Sequence, residues 1–322
     1  MRHVIALDVG GTGMKAALVG TDGTLLHESR RPTPRDDGAA AVIAAILDFA
    51  AHLYAEGETR FGEPPAAAGV ALLGVVNERD GIGVFAANVA GWQDIPIRTL
   101  LADQLGIPVS VGHDMRTGAL AEGRLGAGRG IERFLFIALG TGIAAGIGIE
   151  GRIEPGANGA AGELGHIVVR PDGPPCGCGL RGCLERVASA SAVGAAWAAA
   201  SGDPEATAAH CARAVAGGDP AAEAVWADAI DALAAGLLIG TRLLDPAVIV
   251  LGGGLAEAGD TLFVPLRKAL AERVTFQNLP QIIPAELGDT AGCLGAGLLA
   301  WDLLATSQTP SQPDSQTQEA SA

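Results

Sequence analysis

The sequence predicts an α/β protein with two duplicated lobes and a zinc knuckle. Three observations lead to this prediction. Two segments, 4–28 and 133–153, each contain a predicted strand, a Gly/Thr turn and a second strand. Predicted helices and further strands follow both segments. Residues 162–185 then concentrate three of the five cysteines, a histidine and two glutamates.

The composition of the 322-residue chain limits the classes of protein to which it can belong. Its length allows two domains, and 49% hydrophobic residues allow each of them a core. A formal net charge of -15 argues against nucleic acid as a partner, which requires a basic face. No apolar run of about 18 residues lacks a charge or a glycine, so no membrane span is predicted. The odd cysteine number favours a reducing cytoplasm.

The chain opens with a β-rich run at 3–9, which is typical of a buried strand rather than a signal sequence. Residues 10–13 form a turn, and Asp22-Gly23 ends the following strand in a hairpin. Glycines and a hydroxyl at such a tip can lay backbone N–H groups against a phosphate, and Asp8 is placed to hold hydrated Mg²⁺. Glycine pairs are also common at hairpins without a function, so this turn alone leaves both possibilities open.

The next segment offers two polar candidates. Its predicted elements are helix 39–55, strand 68–76, helix 97–105, strand 107–111 and a helix from 114 to about 124. Asn88 either orients a polar ligand or caps a turn. Asp114 sits between a strand and a helix, so it is either an N-cap or a general base at the carboxyl edge of a sheet.

A second hairpin repeats the first. Residues 133–138 and 144–149 are predicted strands, and the glycine-rich run Leu139-Gly140-Thr141-Gly142 separates them. The repetition indicates an internally duplicated fold. Each half would bring one Gly/Thr turn to a shared cleft, where the two turns would clamp one polyphosphate.

The cysteine-rich segment has the spacing of a metal site. Cys-x-Cys, four residues, Cys and an upstream histidine form a Cys3His set, the donors that tetrahedral zinc prefers. The set consists of His166, Cys176, Cys178 and Cys183. One alternative is a disulfide, which would leave one thiol over, and another is a chance cluster of thiols. Glu163 and Glu185 flank the knuckle, which would hold them in fixed positions.

The remaining third of the chain is predicted to be mostly helical. Ala-rich helices cover 187–243, and an apolar strand at 247–251 runs into three glycines, 252–254. Glycines at a strand-to-helix junction either admit a flat ligand or phosphate to the backbone or make a tight turn. The last elements are helix 260–274, strand 282–287 and helix 291–304, and 306–322 has the composition of a disordered tail.

Together these motifs resemble the ROK family of sugar kinases, within the two-lobed actin/hexokinase-like (ribonuclease H-like) ATPase fold. The resemblance covers nearly all of residues 3–304, and bacterial ROK glucokinases are the most similar subset. Each motif is weak alone, but their order and spacing are specific. They are DVGGT (Asp8–Thr12), LGTG (Leu139–Gly142), GELGH (Gly162–His166), CGCGLRGCLE (Cys176–Glu185) and GGG (Gly252–Gly254).

The resemblance implies a role for each matching residue. Asp114 resembles the base that takes a proton from the sugar 6-hydroxyl. The implied sugar contacts are Asn88, His113, Asp114, Glu163, His166 and Glu185. The implied ATP contacts are Asp8, Gly10, Gly11, Thr12, Gly140, Thr141, Gly142, Gly252, Gly253 and Gly254. The implied ligands of a structural Zn²⁺ are His166, Cys176, Cys178 and Cys183, and His166 would offer its other ring nitrogen to the sugar.

One departure concerns the residues around the implied base. Many family members read Asn-Asp-x-Asn where this chain has His113-Asp114-Met115-Arg116. The base is retained, but an imidazole replaces the asparagine before it. Leu73-Gly74 also replaces a frequent Pro-Gly. The identity of the sugar is therefore more open than the reaction.

The resemblance implies ATP- and Mg²⁺-dependent phosphorylation of a hexose at the 6-hydroxyl, with glucose favoured. N-acetylmannosamine, N-acetylglucosamine, fructose, mannose and allose are alternatives, and polyphosphate is an alternative donor. A sugar-responsive repressor or inactive sensor is the rival class, but only seven residues precede Asp8. We expect an N-terminal lobe at 1–116, a C-terminal lobe at 117–304 whose last helix packs back on the first, and a tail at 305–322. We further expect a cytoplasmic homodimer or homotetramer without nucleic acid or membrane partners.

Overall fold

The computed structural model describes residues 1–307, which alternate between strands and helices. The strands are β1 (His3–Val9), β2 (Gly13–Gly20), β3 (Leu25–Pro32), β4 (Ala68–Leu72), β5 (Val75–Asn77), β6 (Ile82–Phe85), β7 (Gln93–Ile95), β8 (Val109–His113), β9 (Arg133–Leu139), β10 (Ile143–Ile149), β11 (Arg152–Ile153), β12 (Val248–Gly252) and β13 (Gln281–Pro284). The helices are α1 (Ala39–Phe61), α2 (Ile97–Leu105), α3 (Asp114–Leu125), α4 (Glu185–Ala188), α5 (Ala190–Ser201), α6 (Ala208–Ala216), α7 (Pro220–Leu244), α8 (Asp260–Ala271) and α9 (Ala291–Ser307).

Two five-stranded sheets share one topology, which confirms the duplication predicted from the two hairpins. Their orders are β3-β2-β1-β4-β8 and β11-β10-β9-β12-β13. In each order, neighbours among the first three strands are antiparallel. The last two strands run parallel to the central strand, which is β1 in one sheet and β9 in the other. The hairpin β1–β2 therefore corresponds to β9–β10, and the Gly/Thr turns occupy equivalent positions.

Each sheet carries a hydrophobic core on its outer face. In the first sheet, Ile46 and Phe49 of α1 are fully buried with Leu7 of β1. In the second sheet, Trp226 and Leu233 of α7 belong to the core that covers β9 and β12. Burying each such side chain contributes about 1.5–3 kcal/mol relative to exposure, so the two cores account for the helix-on-sheet layers.

Helices α3 and α9 form an inner layer that depends on small residues. A Cβ atom on Gly69 of β4 would overlap the Ala296 carbonyl of α9, and one on Gly146 of β10 would overlap the Ala119 side chain of α3. The backbones approach this closely because glycine and alanine stand at the contacts. Trp301 of α9 donates its indole N–H to the Gly20 carbonyl at 3.0 Å. The Ala- and Gly-rich composition therefore serves helix–sheet packing.

The structure differs from the sequence prediction at several boundaries. The predicted strand 68–76 breaks at Leu73 and Gly74, which has a φ of 80°, and its end joins the small antiparallel sheet β5-β6-β7. Helix α1 extends six residues beyond the predicted end to Phe61, where Gly62 caps it in a left-handed conformation. Strand β8 runs two residues further than predicted, so His113 is its last residue.

Two parts of the prediction concern the end of the chain and the membrane. Residues 305–307 of the predicted tail form the last turn of α9, and the rest of the tail lies outside the described residues. Helices α1 and α7 are long and apolar enough to cross a membrane by length and composition alone. Both pack as core helices against the sheets, with Phe49 and Leu233 inside.

Candidate active site

A cavity of about 490 Å³ opens where the ends of the two sheets face each other. Of the predicted sugar contacts, Glu163, His166 and Glu185 line this cavity. The implied base Asp114, its neighbour His113 and the turn between β9 and β10 also line it. The lining residues are Gly74, Val75, Val76, His113, Asp114, Met115, Ala138, Gly140, Gly142, Ile143, Ala144, Asn158, Gly159, Ala160, Glu163, His166 and Glu185.

Asp114 is the first residue of α3, immediately after β8. Its Oδ1 accepts the backbone N–H of Met115 at 2.6 Å. Burial raises the pKa of Asp114 to about 6, and the nearby carboxylates of Asp8 and Glu163 add to the rise while the Met115 amide and Arg116 oppose it. A carboxylate with this pKa is ionised at neutral pH and still basic enough to accept a proton from a hydroxyl.

His113 borders the same carboxylate. Its Nε2 lies 3.5 Å from Asp114 Oδ1, and its backbone N–H donates to Glu78 Oε1 at 2.8 Å. Burial, with a smaller contribution from the Arg116 charge, lowers the pKa of His113 to about 4, so the ring is neutral at physiological pH. Nδ1 is buried and has no hydrogen-bond partner among the described residues. A neutral imidazole with one unsatisfied ring nitrogen can still hydrogen-bond a hydroxyl.

The first Gly/Thr turn lies beside Asp8 and Asn88. The Gly10 N–H donates to the Gly13 carbonyl at 3.0 Å, which closes the turn. A Cβ on Gly11 would lie 2.7 Å from Asn88 Nδ2, so the amide group of Asn88 rests against this turn rather than on the cavity wall. Burial raises the pKa of Asp8, and Lys15 on the paired strand opposes the rise.

The second turn is held by hydrogen bonds from two sides. The Gly140 N–H donates to the Gly142 carbonyl at 3.0 Å, and the Ala190 N–H donates to the Gly140 carbonyl at 2.9 Å. The Glu185 carboxylate accepts the backbone N–H of Ile143 at 3.1 Å. Glu185 therefore bounds the cavity and supports the turn at once.

The glycine run 252–254 begins with the last residue of β12, and its second glycine packs against the end of β9. Gly253 has a φ of 84°, and a Cβ there would lie 2.6 Å from the Leu139 carbonyl oxygen. The Leu255 N–H donates to that carbonyl at 3.0 Å. A Cβ on Gly254, in contrast, would meet nothing within 4 Å. The glycine run thus follows the end of β9, where its backbone is open to a flat ligand.

The predicted Cys3His set converges. The ligand atoms of His166, Cys176, Cys178 and Cys183 all lie within 4.8 Å of one another. Cys176 Sγ is 3.5 Å from His166 Nδ1, and Cys178 Sγ is 3.5 Å from Cys183 Sγ. The edges of a tetrahedral zinc site with these ligands are about 3.5–3.8 Å long, given Zn–S near 2.3 Å and Zn–N near 2.0 Å. All five cysteines are free thiols, so the donor set fits a metal and not a disulfide.

His166 connects this cluster to the cavity. Its Nδ1 faces Cys176, whereas its Nε2 lies 3.9 Å from the Glu163 carboxylate on the cavity side. Two contacts join the beginning and the end of the knuckle. Val168 forms an antiparallel β-bridge with Cys183, and the Leu184 N–H donates to the Ile167 carbonyl at 2.9 Å. The metal cluster and the cavity therefore share one imidazole.

Two residues at the site were not identified from the sequence. Glu78 accepts hydrogen bonds from the His113 backbone and from Arg116. Arg116 also donates to the Gly159 carbonyl at 2.9 Å. For Arg116, the sequence did contain a signal, namely a charged residue two positions after Asp114, on the first turn of α3. Nothing near Glu78 in the sequence marked it, since the contact depends on the fold.

The chain is similar to proteins of the ROK family over most of its length. The model of the ROK family matches residues 4–302. A glucokinase from Thermotoga maritima is 32% identical over 308 residues, 91% of this chain and 95% of that protein. The N-acetylgalactosamine kinase AgaK from a Shewanella species is 34% identical over 307 residues, 92% of this chain and 96% of that protein. The crystal structure of a ROK family glucokinase from Streptomyces griseus in complex with glucose and AMPPNP has a TM-score of 0.79 and 31% identity, covering 93% of this chain and 99% of that one.

Proposed function

Because the chain belongs to the ROK family, we propose that it is an ATP-dependent sugar kinase that converts glucose to glucose 6-phosphate. The observation that carries this proposal is the placement of Asp114. A half-buried carboxylate, whose pKa desolvation raises to about 6, lies on the wall of a cavity of about 490 Å³ that Gly140 and Gly142 of the second turn also line. The proposed base, the polar side chains of the cavity and the second Gly/Thr turn meet at one place.

The transfer itself requires little covalent chemistry from the protein. The sugar 6-hydroxyl oxygen attacks the γ-phosphorus, and its proton passes to the Asp114 carboxylate. The bond from the γ-phosphorus to the bridging oxygen breaks, and ADP leaves with that oxygen. The Gly10 and Gly140 N–H groups close their own turns, so in this proposal the remaining backbone N–H groups, at 11–12 and 141–142, face the phosphates. The backbone at 252–254 faces the adenosine.

Sugar recognition in this proposal rests on the polar groups around Asp114. Glu163, His166 and Glu185 offer acceptors and a ring nitrogen from the knuckle side of the cavity. His113 lines the cavity from the first half of the chain, and Asn88 lies against the first turn, from which it would reach the sugar in this proposal. A hydroxyl in the wrong place leaves one of these groups without its hydrogen bond, which discriminates strongly between sugars.

The Cys3His cluster fits one metal ion, and we propose a second ion that enters the site with ATP. Asp8 would hold a hydrated Mg²⁺, which neutralises phosphate charge when ATP is bound. The Cys3His set would hold a structural Zn²⁺, which fixes the orientation of His166 and leaves Nε2 for the sugar. Free cysteines and a thiolate-rich metal site accord with the cytoplasm as the compartment we propose.

An N-acetyl sugar is the second candidate substrate. AgaK is as similar to this chain as the glucokinase from T. maritima, at 34% and 32% identity. His113, which stands on the cavity wall, is bulkier than the asparagine that the resemblance implies there. A preference for a sugar other than glucose would result from this replacement of asparagine by His113.

The decisive experiment measures ADP release with Mg-ATP across glucose, mannose, fructose, allose, N-acetylglucosamine, N-acetylgalactosamine and N-acetylmannosamine. The proposal expects glucose to have the highest kcat/KM by at least tenfold. A preference for an N-acetyl sugar would support the kinase assignment but show that glucose is not the main substrate. ATP binding without turnover of any sugar would contradict the proposal and favour a sugar sensor. A parallel series with polyphosphate tests the alternative donor.

A further inference from the structure

The buried side chain of Arg116 joins the two walls of the cavity. Only 6% of this side chain is exposed, and its Nε donates to Glu78 Oε1 at 2.9 Å. Its Nη1 donates to the Gly159 carbonyl at 2.9 Å. Glu78 follows β5 in the first half of the chain, whereas Gly159 lies in the segment after β11 in the second half. One guanidinium therefore connects both halves beside the cavity.

Glu78 extends this connection to the residue before Asp114. Its Oε1 accepts both the Arg116 Nε–H and the His113 backbone N–H, the latter at 2.8 Å. Hydrogen bonds between ionised partners are roughly twice as strong as neutral ones. The carboxylate thus fixes the end of β8, and Arg116 keeps the carboxylate in place.

The segment on the other wall has few other constraints. Residues 154–162 read Glu-Pro-Gly-Ala-Asn-Gly-Ala-Ala-Gly, and their three glycines all have positive φ. The other hydrogen bonds described for 155–161 are local, such as Gly156 N–H to Glu154 and Ala161 N–H to the Pro155 carbonyl. Asn158, Gly159 and Ala160 line the cavity, and Glu163 follows directly. Backbone hydrogen bonds hold both ends of the segment on β10, from the Glu154 N–H to the Ile147 carbonyl at 2.8 Å and from the Ala145 N–H to the Gly162 carbonyl at 2.9 Å. Between these ends, Arg116 makes the long-range hydrogen bond described for the middle of the segment.

We propose that Arg116 is a positioning residue that latches segment 154–162 over the bound sugar and thereby sets the affinity for it. The inference rests on the proposed function, because it assigns the cavity to a sugar. Nη2 of Arg116 is buried and has no hydrogen-bond partner among the described residues. An unsatisfied buried donor is costly, so an inward movement of the segment that supplies a second carbonyl would be favourable when the sugar binds.

The kinetic test compares Arg116→Met with Arg124→Met. Arg124 is on the same helix, but it pairs with Asp302 at 2.7 Å outside the cavity. In R116M the KM for glucose is expected to rise about tenfold, while kcat and the KM for ATP stay within twofold. R124M should match the wild type. R116K should be intermediate, since one ammonium reaches only one of the two partners. Equal effects of R116M and R124M, or a loss confined to kcat, would overturn the proposal.

A second measurement does not depend on turnover. Amide hydrogen exchange across 155–161 is expected to be at least tenfold faster in R116M than in the wild type and R124M. Unchanged exchange would refute the latch even if the sugar KM moved. If the wild type turned over no sugar, the proposed function would fail while this measurement still tested the latch. If R116M did not fold, Glu78→Gln would replace it, with faster exchange expected and unchanged exchange refuting the latch.

Discussion

The carboxylate of Glu185 accepts a hydrogen bond from the Ile143 amide at 3.1 Å. Glu185 starts α4, two residues after the last cysteine of the metal cluster, and Ile143 starts β10, directly after the Gly140–Gly142 turn. The cysteine cluster and the turn are therefore held in register through one side chain. That side chain also faces the cavity.

Glu185→Gln tests this relationship. The amide keeps the size of the side chain but replaces a charge-assisted hydrogen bond, worth about 1.5–3 kcal/mol, with a neutral one. We expect kcat/KM for glucose to fall roughly tenfold to a hundredfold, as measured by coupled ADP release. Glu205→Gln, at an exposed position, is the matched control and should retain full activity. Equal activity of both variants would disprove a role for the Glu185 charge.

Asp114→Asn removes the proposed base. A positioned base contributes about 10²–10⁴ in rate, so kcat should fall by that factor while the KM for glucose changes little. In the wild type, kcat/KM should rise with pH with a midpoint near pH 6, where Asp114 ionises. Asp103→Asn, exposed on α2, is the control. Undiminished turnover in D114N would remove Asp114 from the mechanism.

The same substitution should change stability in the opposite direction. Burial raises the folded-state pKa of Asp114 to about 6, above the value of 3.8 expected when unfolded. The folded state therefore favours the protonated form, and its stability falls as the pH rises from about 4 to 6 and stays reduced above that window. Asparagine mimics the protonated carboxyl. The Tm of D114N should exceed that of the wild type at pH 8, and the difference should vanish near pH 4. A Tm lowered at pH 8 would contradict this.

Cys178→Ser tests the metal cluster. A hydroxyl is a poor zinc ligand beside thiolates, so we expect zinc content, measured by mass spectrometry, to fall from one ion per chain to well below half. Tm and glucose turnover should fall with it, because His166 loses its anchor. Cys211→Ala, in the core of the second sheet, is the control and should keep its zinc. Metal-free wild-type protein with full activity would refute the zinc assignment.

Gly253→Ala tests the close approach beside the second turn. The new Cβ would lie 2.6 Å from the Leu139 carbonyl oxygen, on a backbone with a φ of 84°. Such strain costs on the order of 1–3 kcal/mol, so the Tm should drop by several degrees and the KM for ATP should rise. Gly254→Ala, whose Cβ would meet nothing within 4 Å, is the control for folding and should keep the wild-type Tm. Identical melting of the two variants would argue against a constrained Gly253.

The sequence predicted those parts of the fold that short-range patterns determine. The two Gly/Thr hairpins repeat within the chain, and their repetition correctly predicted two sheets of one topology. The spacing of Cys176, Cys178 and Cys183 predicted a cluster because the short glycine-containing segments between them let the three side chains meet. In both cases, the residues that predict the hairpin or the metal cluster are close together in the sequence.

Other parts depend on contacts between distant residues. Glu78 and Gly159 approach Arg116 only after both sheets have formed, so no local pattern marks them. Strand β5 has three residues, and its Val75 is half exposed, which leaves too little alternation to separate it from β4. The position of Asn88 against Gly11 likewise follows from packing and not from spacing.

The inner layer also governs the order in which the protein is assembled. Gly69 of β4 receives the backbone of Ala296, so one face of the first sheet is covered by α9, which is synthesised long after that sheet. At about 5–20 residues per second, the early part of the chain waits on the order of ten seconds or more with that apolar face bare. The N-terminal half of the chain therefore cannot complete its core until α9 has been synthesised.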